Sequence, residues 1–121
     1  MKKALLLIDF VNENVSKDGK MAGKGYPVYC EKYNVLGKAE KLLSAFRNKG
    51  HLVVHVRVGF SPDYKEQPIS SPLFGAAHKF GAFKIGAWGD EFYDTLAPLE
   101  NEVQYYKHRV SAFYGTPVEL L

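Results

Sequence analysis

Apolar and polar positions alternate along this chain in more than one rhythm. Ala4–Ile8 is an unbroken apolar run, which reads as a strand buried on both faces and stops at Asp9. Leu52–Val58 is a second strand, rich in valine and running through Arg57. Glu102–Tyr106 is a third, more polar, with the composition of an edge strand. Between the first two strands the period changes. Leu36, Ala39, Leu43 and Phe46 recur at spacings of three, four and three, which is one face of a helix. Asn34 stands where it can cap that helix and Gly50 where it can end it. Strand, helix and strand with short joints make a βαβ unit, so the strands are expected to be parallel with a right-handed crossover.

The intervening stretches carry weaker signals. Val11–Glu31 is rich in Gly, Lys and Asn and reads as a loop. Gly59–Asn101 is long and irregular and holds four of the six prolines, with one short helix expected in DEFYDTLAP, closed by Pro98. A connection of that length is more often a functional region than filler. Within it, FSPDYKEQPISSP reads as a lid or an oligomer contact. At the end of the chain Thr116, Pro117 and Glu119 form a helix-starting signature with only five residues left after Thr116. An apolar first strand wants neighbours on both edges; strands 2 and 3 cover one, in the order 3-2-1, and leave the other open. The expectation is therefore a single α/β domain over residues 1–121, Rossmann-like and three-layered (α/β/α) around a parallel sheet, incomplete at its C-terminus after the third strand.

Composition narrows the function classes. The 121 residues carry 16 basic and 13 acidic side chains, a net charge of +3, with no basic run long enough to mark a nucleic-acid footprint. The N-terminal apolar run is five residues long and ends at Asp9, too short for a signal peptide. No segment approaches the roughly 18 apolar residues of a membrane span. A lone cysteine, Cys30, excludes an intramolecular disulfide and a cysteine-based zinc site, and a reducing, cytoplasmic location is expected.

Three charged residues stand at strand carboxyl ends: Asp9, Arg57 and Lys107. In open parallel sheets the ligand crevice lies along that edge. Lys107 beside Asp9 would keep the carboxylate ionised; a partly buried ion pair that merely ends two strands is an equal reading. Arg57 is a candidate to hold a substrate carboxylate, or to pair with an acid in the loop. Phe10, Trp88 and Phe113 are candidates to wall an apolar pocket, or ordinary core residues. His51 and His55 fall on one face of strand 2, with packed or hydrogen-bonded roles expected. His78 is a lone histidine on a polar stretch, and no metal site is expected. Cys30 reads as a structural thiol.

The blocks LLLIDFVNE and YYKHRVSAFYGT together resemble the isochorismatase-like hydrolase family, also called the cysteine hydrolase or nicotinamidase-related superfamily. The family's first strand ends in Asp, commonly followed by Met-Gln-Asn-Asp-Phe; here Asn12 matches and Val11 replaces the Gln. The later pattern, Lys-x-Arg-x-Ser-Ala-Phe-x-Gly-Thr, matches at Lys107, Arg109, Ser111, Ala112, Phe113, Gly115 and Thr116. SPLF (Ser71–Phe74) and GAWGDEF (Gly86–Phe92) resemble its middle segment. The resemblance implies an Asp-Lys-Cys triad with Asp9 as general base and Lys107 as its cationic partner. The cysteine is expected after a fourth strand, beyond Leu121. Members with the Cys hydrolyse C–N bonds of small amides or ureas; the isochorismatases proper lack it and cleave a vinyl ether. A non-catalytic binding or assembly module is the other reading. The Asp-x-His metal pair of nicotinamidases is absent, since Tyr64 and Lys65 follow Asp63. The resemblance further implies a small-molecule substrate, no cofactor and a homo-oligomer, with Arg109 holding a loop.

Overall fold

The computed structural model describes residues 1–121. Three strands, β1 (Ala4–Ile8), β2 (Leu52–Val58) and β3 (Val103–Lys107), form one parallel sheet in the order β1-β2-β3. The register sets Ala4 beside Leu52 and Ile8 beside Val56, then Val54 beside Val103 and Val58 beside Lys107. This is the predicted βαβ topology. The third strand lies one residue later than expected, so that Lys107 is its last residue.

The longest helix between β1 and β2, after the short α1 (Asn12–Val15) and α2 (Tyr26–Lys32), is α3 (Val35–Asn48). Its apolar face is the predicted one: Ala39 and Leu43 are buried against Leu7, Val53 and Leu96, with Leu36 and Phe46 packed at the margin. Gly50 ends it at φ +68°, a left-handed conformation that costs glycine little. Asn34 precedes it at φ +50° and its side chain makes no capping bond, so the turn uses asparagine's tolerance of the left-handed region rather than its capping oxygen.

On the opposite face Val54 and Val56 are covered by Ala112 and Val118 from the C-terminal segment. Thr116 caps the closing turn, Pro117–Leu120, by accepting from Val118 N; no bond returns from Glu119, and the turn is 3-10. Strand β1 pairs only with β2, and consequently only Leu7 of its five residues is buried. The burial on both faces expected of β1 is not found there; it is the central strand β2 that is buried on both faces.

Two other expectations are corrected. Val11–Glu31 is not all loop: it contains α1 (Asn12–Val15) and α2 (Tyr26–Lys32), the second opened by Gly25 at φ +89° with proline in its first turn. DEFYDTLAP does not form a single helix. Glu91–Tyr93 runs extended beside the end of β1, with Asn12 N donating to Glu91 O and Tyr93 N to Phe10 O, and short 3-10 turns lie on either side. Pairing with Phe10–Asn12 satisfies these backbone groups, so the helix is not needed.

The rest of the long connection has its own small core. Phe60, Tyr64, Phe74, Ala77, Ala82 and Phe83 pack together with Val58, and α4 (Ala77–Phe80) lies within it. Glu13 anchors this unit to α1. Its buried carboxylate accepts from Lys20 N at 2.8 Å and Phe83 N at 3.0 Å. Position 89 is glycine because a Cβ there would meet that carboxylate at 2.6 Å. No helix of the protein is long and apolar enough to cross a membrane.

Candidate active site

Asp9 follows the last residue of β1 and turns out of the strand direction at φ +67°. A left-handed conformation is uncommon for a residue with a side chain, although Asp is among those that tolerate it. Asp9 N donates to Val56 O, and Asn14 Nδ2 donates to Asp9 O at 3.2 Å, so the strained residue is held on both sides. From there Asp9 Oδ2 accepts a hydrogen bond from Lys107 Nζ at 3.0 Å.

Strands β1 and β3 are not neighbours. Adjacent strands lie about 4.8 Å apart, so the lysine's four-carbon stem has to cross the end of β2 to reach Asp9. The Lys107 side chain is only 2 % exposed, and its ammonium also donates to Val110 O at 2.6 Å. Asp9 Oδ1 is buried and accepts no hydrogen bond. A buried carboxylate oxygen without a partner is rare and calls for a specific reason.

Both residues line a cavity of about 310 Å³ at the carboxyl edge of the sheet, within the range of small-ligand sites. Phe10, Met21, Phe74 and Phe83 make its walls apolar, and α2 contributes Tyr26 and Cys30. Burial pushes the Cys30 thiol up from its ordinary value, away from the thiolate, and the thiol makes no hydrogen bond to Asp9 or Lys107.

The remaining sequence candidates go elsewhere. Arg57 lies between the rings of Phe92 and Tyr106, 4.2 and 4.4 Å from their centroids, and donates to Asp90 O at 2.7 Å. It does not line the cavity, because its stacking and hydrogen-bonding capacity is taken by the loop. Trp88 is 49 % exposed on a 3-10 turn, where its carbonyl accepts from Asn12 Nδ2. Phe113 is equally exposed and lines a groove with Leu6, Val54 and Val118 on the other side of the sheet. The chain turns beneath the sheet after Lys107 and carries Phe113 away. Phe10 alone of the three aromatic candidates reaches the cavity.

Lys107, His108 and Arg109 diverge. His108 Nδ1 bonds Gly59 O at 2.7 Å, and Arg109 donates to Glu66 O at 2.7 Å, fastening the 61–66 loop. That loop is well braced: Ser61 bonds Glu66, Tyr64 OH donates to Ala82 O, and Gln67 Nε2 donates to Phe74 O and Gly75 O. His78 is exposed and stacked on Tyr64, His51 accepts from Lys3 N, and no cluster of His, Cys, Asp or Glu has the arrangement of a metal site.

At the opposite edge of the sheet, Glu102 accepts from Arg47 Nε at 2.8 Å, Arg47 Nη2 at 2.7 Å, His55 Nε2 at 3.0 Å and Leu99 N at 2.9 Å. The paired guanidinium leads in holding its carboxyl down to about 2, while burial lowers His55 from its ordinary value. This carboxylate is saturated, whereas Asp9 is not.

Sequence reasoning missed Asn14, Met21, Tyr26 and Phe83 as cavity residues. They lie in segments without apolar periodicity, and Pro27 at the first turn of α2 was the one local signal available.

A sequence profile of the Isochorismatase domain matches residues 3–121. Ureidoacrylate amidohydrolase RutB of Cronobacter sakazakii is 27 % identical over 133 aligned positions, covering 98 % of this chain and 56 % of that protein. Among solved structures, N-carbamoylsarcosine amidase of Thermoplasma acidophilum superimposes with a TM-score of 0.72 at 31 % identity, over 99 % of this chain and 60 % of that one. Nicotinamidase PncA of Bacillus subtilis does so with a TM-score of 0.72 at 29 % identity, over 99 % and 63 %. The chain thus spans little more than half the length of the curated relatives it matches. With its parallel sheet and its Asp9 and Lys107 at the carboxyl edge, this chain belongs to the isochorismatase family.

Proposed function

We propose that this chain carries the acid–base part of a hydrolase that cleaves a C–N bond in a small amide or ureido compound. Asp9 is the general base. Its buried Oδ1, without a hydrogen-bond partner, is the observation that carries the reading: an acceptor-only oxygen left unsatisfied on a residue that lines the cavity suits a group that takes a proton from a reacting partner. Lys107 sets a positive charge against Oδ2 and fixes the carboxylate's orientation.

The nucleophile in this reading is a cysteine supplied by sequence after Leu121. Asp9 takes the thiol proton; the thiolate sulfur attacks the carbonyl carbon and forms a C–S bond. The tetrahedral intermediate collapses with loss of the protonated amine, and water then cleaves the thioester. Backbone N–H groups near the thiol stabilise the oxyanion. Cys30 is not the nucleophile in this reading: it makes no hydrogen bond to Asp9, whose Oδ2 is taken by Lys107, and burial pushes its thiol up, away from the thiolate. The names of the relatives, an amidohydrolase, an amidase and a nicotinamidase, support the reaction class. The partners expected are a small-molecule substrate and further copies of the same protein.

The test is ammonia release from a panel of small primary amides and ureido compounds by protein made from the complete reading frame. Asp9→Asn is expected to lower kcat by about 10²–10⁴-fold. Wild-type rates in that variant would overturn the assignment.

A further inference from the structure

Helix α2 is attached to the protein more loosely than the rest of the cavity wall. Pro27, Cys30, Glu31 and, just past its end, Asn34 recur at helical spacing on one side. That side faces open space instead of a core, since all four residues line a groove of about 430 Å³ beside the end of α1 and the start of α3. Tyr26 and Cys30 also line the cavity that holds Asp9 and Lys107. Cys30 and Val15 border both spaces, so groove and cavity meet at these two side chains. No residue of α2 is buried and no side chain caps its start. Every backbone hydrogen bond of residues 25–34 has its partner within residues 22–38, and no ion pair reaches the helix. Tyr29, Lys32 and Tyr33 stack on one another. The helix hangs between two left-handed residues, Gly25 at φ +89° and Asn34 at φ +50°. Asn34 rests its amide on the bare α-carbon of Gly37, which seats that end on α3.

We infer that α2 is the movable wall of this site: it swings on Gly25 and Asn34 and opens the cavity to the outside through the groove at Val15 and Cys30. An element with nothing buried exposes little additional apolar surface when it moves, so its opening costs little. The segment FSPDYKEQPISSP, the cover suggested by sequence, is by contrast a fixed wall. Phe60 and Tyr64 belong to a buried core with Phe74 and Phe83, and Arg109, Gln67 and Glu13 fasten it by hydrogen bonds from three directions. Lids are drawn from the least stable parts of a fold, and here that part is α2. The inference concerns entry to the cavity and stands whether or not the protein hydrolyses amides.

The experiment is native-state amide exchange by NMR on the full-length protein, together with alkylation of Cys30 by N-ethylmaleimide, read on the peptide that contains it. The amides of Tyr29 and Tyr33 bond within the α2 turn, while those of Ala82 and Phe83 bond inside the neighbouring core. Tyr29 and Tyr33 are expected to exchange about tenfold faster or more. A Cβ at position 25 would meet nothing, so Gly25→Ala penalises only the left-handed turn that holds α2 in place. It is expected to speed exchange at Tyr29 and Tyr33, and alkylation of Cys30, by about five- to tenfold, with Ala82, Phe83 and α3 unchanged. Wild-type exchange at Tyr29 and Tyr33 as slow as at Ala82 and Phe83 overturns the inference without recourse to any variant. A Gly25→Ala protein whose Cys30 is alkylated at the wild-type rate overturns it as well. So does one in which the amides of α2 and α3 quicken together, because the helix then opens only with the whole domain.

Discussion

Lys107 Nζ donates to Asp9 Oδ2 at 3.0 Å across a strand that belongs to neither residue. The contact joins the two outer strands over the end of β2, and it buries the ammonium while leaving the Asp9 side chain 32 % exposed. The pair is thus half desolvated. Lys107→Ala is expected to destabilise the protein by about 1–3 kcal/mol, because one carboxylate loses its partner while part of it can still be hydrated. A double-mutant cycle with Asp9→Ala, followed by urea denaturation, should give a coupling of about 1 kcal/mol or more. Strictly additive losses would mean that the contact contributes nothing to the fold.

Glu13 accepts from two backbone N–H donors, Lys20 beside α1 and Phe83 in the 59–101 excursion, and the second ties that excursion to α1. Glu13→Gln keeps the shape but turns an N–H₂ toward one of those donors, and it should cost about 1–3 kcal/mol. Gly89→Ala should cost a comparable amount, since the new Cβ would sit 2.6 Å from the Glu13 carboxylate. Urea midpoints measure both. In the Glu13→Ala background the Gly89→Ala penalty should largely vanish, because the clashing group is gone.

His55 and Glu102 both titrate below their ordinary values in the folded protein, so both bind more protons in the unfolded chain. Stability from His55 is present above 6.5 and declines as the pH falls from there. Stability from Glu102 is present above 4.5 and is lost as the pH falls toward about 2. Glu102→Gln is expected to lose about 3 kcal/mol near neutrality, and the gap between the two proteins should close at about pH 2. Melting temperatures recorded from pH 2 to 8 test this; a constant gap would contradict it.

Arg57 is held between two aromatic rings and a loop carbonyl, away from the cavity. Arg57→Lys keeps the charge but loses the flat guanidinium, so stability should fall by about 1–2 kcal/mol. KM should stay within about twofold of the wild type. A tenfold rise in KM for a carboxylate-bearing amide alone would restore Arg57 as a substrate ligand.

The chain's own pattern determined a good deal. Period and composition located all three strands to within a residue, the face of α3 and the glycine that ends it, because burial on one face leaves a repeating mark in the sequence. Asp9 and Lys107 were legible as chemistry for a related reason: a charge directly after an apolar strand has to emerge at the sheet's edge. The tertiary structure decided what no local rule encodes. Lys107 reaches over β2 because only the sheet order puts that strand between it and Asp9. Arg57, Trp88 and Phe113 were diverted by partners far away in sequence. The cavity wall came from Asn14, Met21, Tyr26 and Phe83, in segments whose irregular backbone is fixed by long-range hydrogen bonds and by Glu13. Periodicity records which side of an element is apolar, while the choice of partner is made only when distant segments compete for the same space.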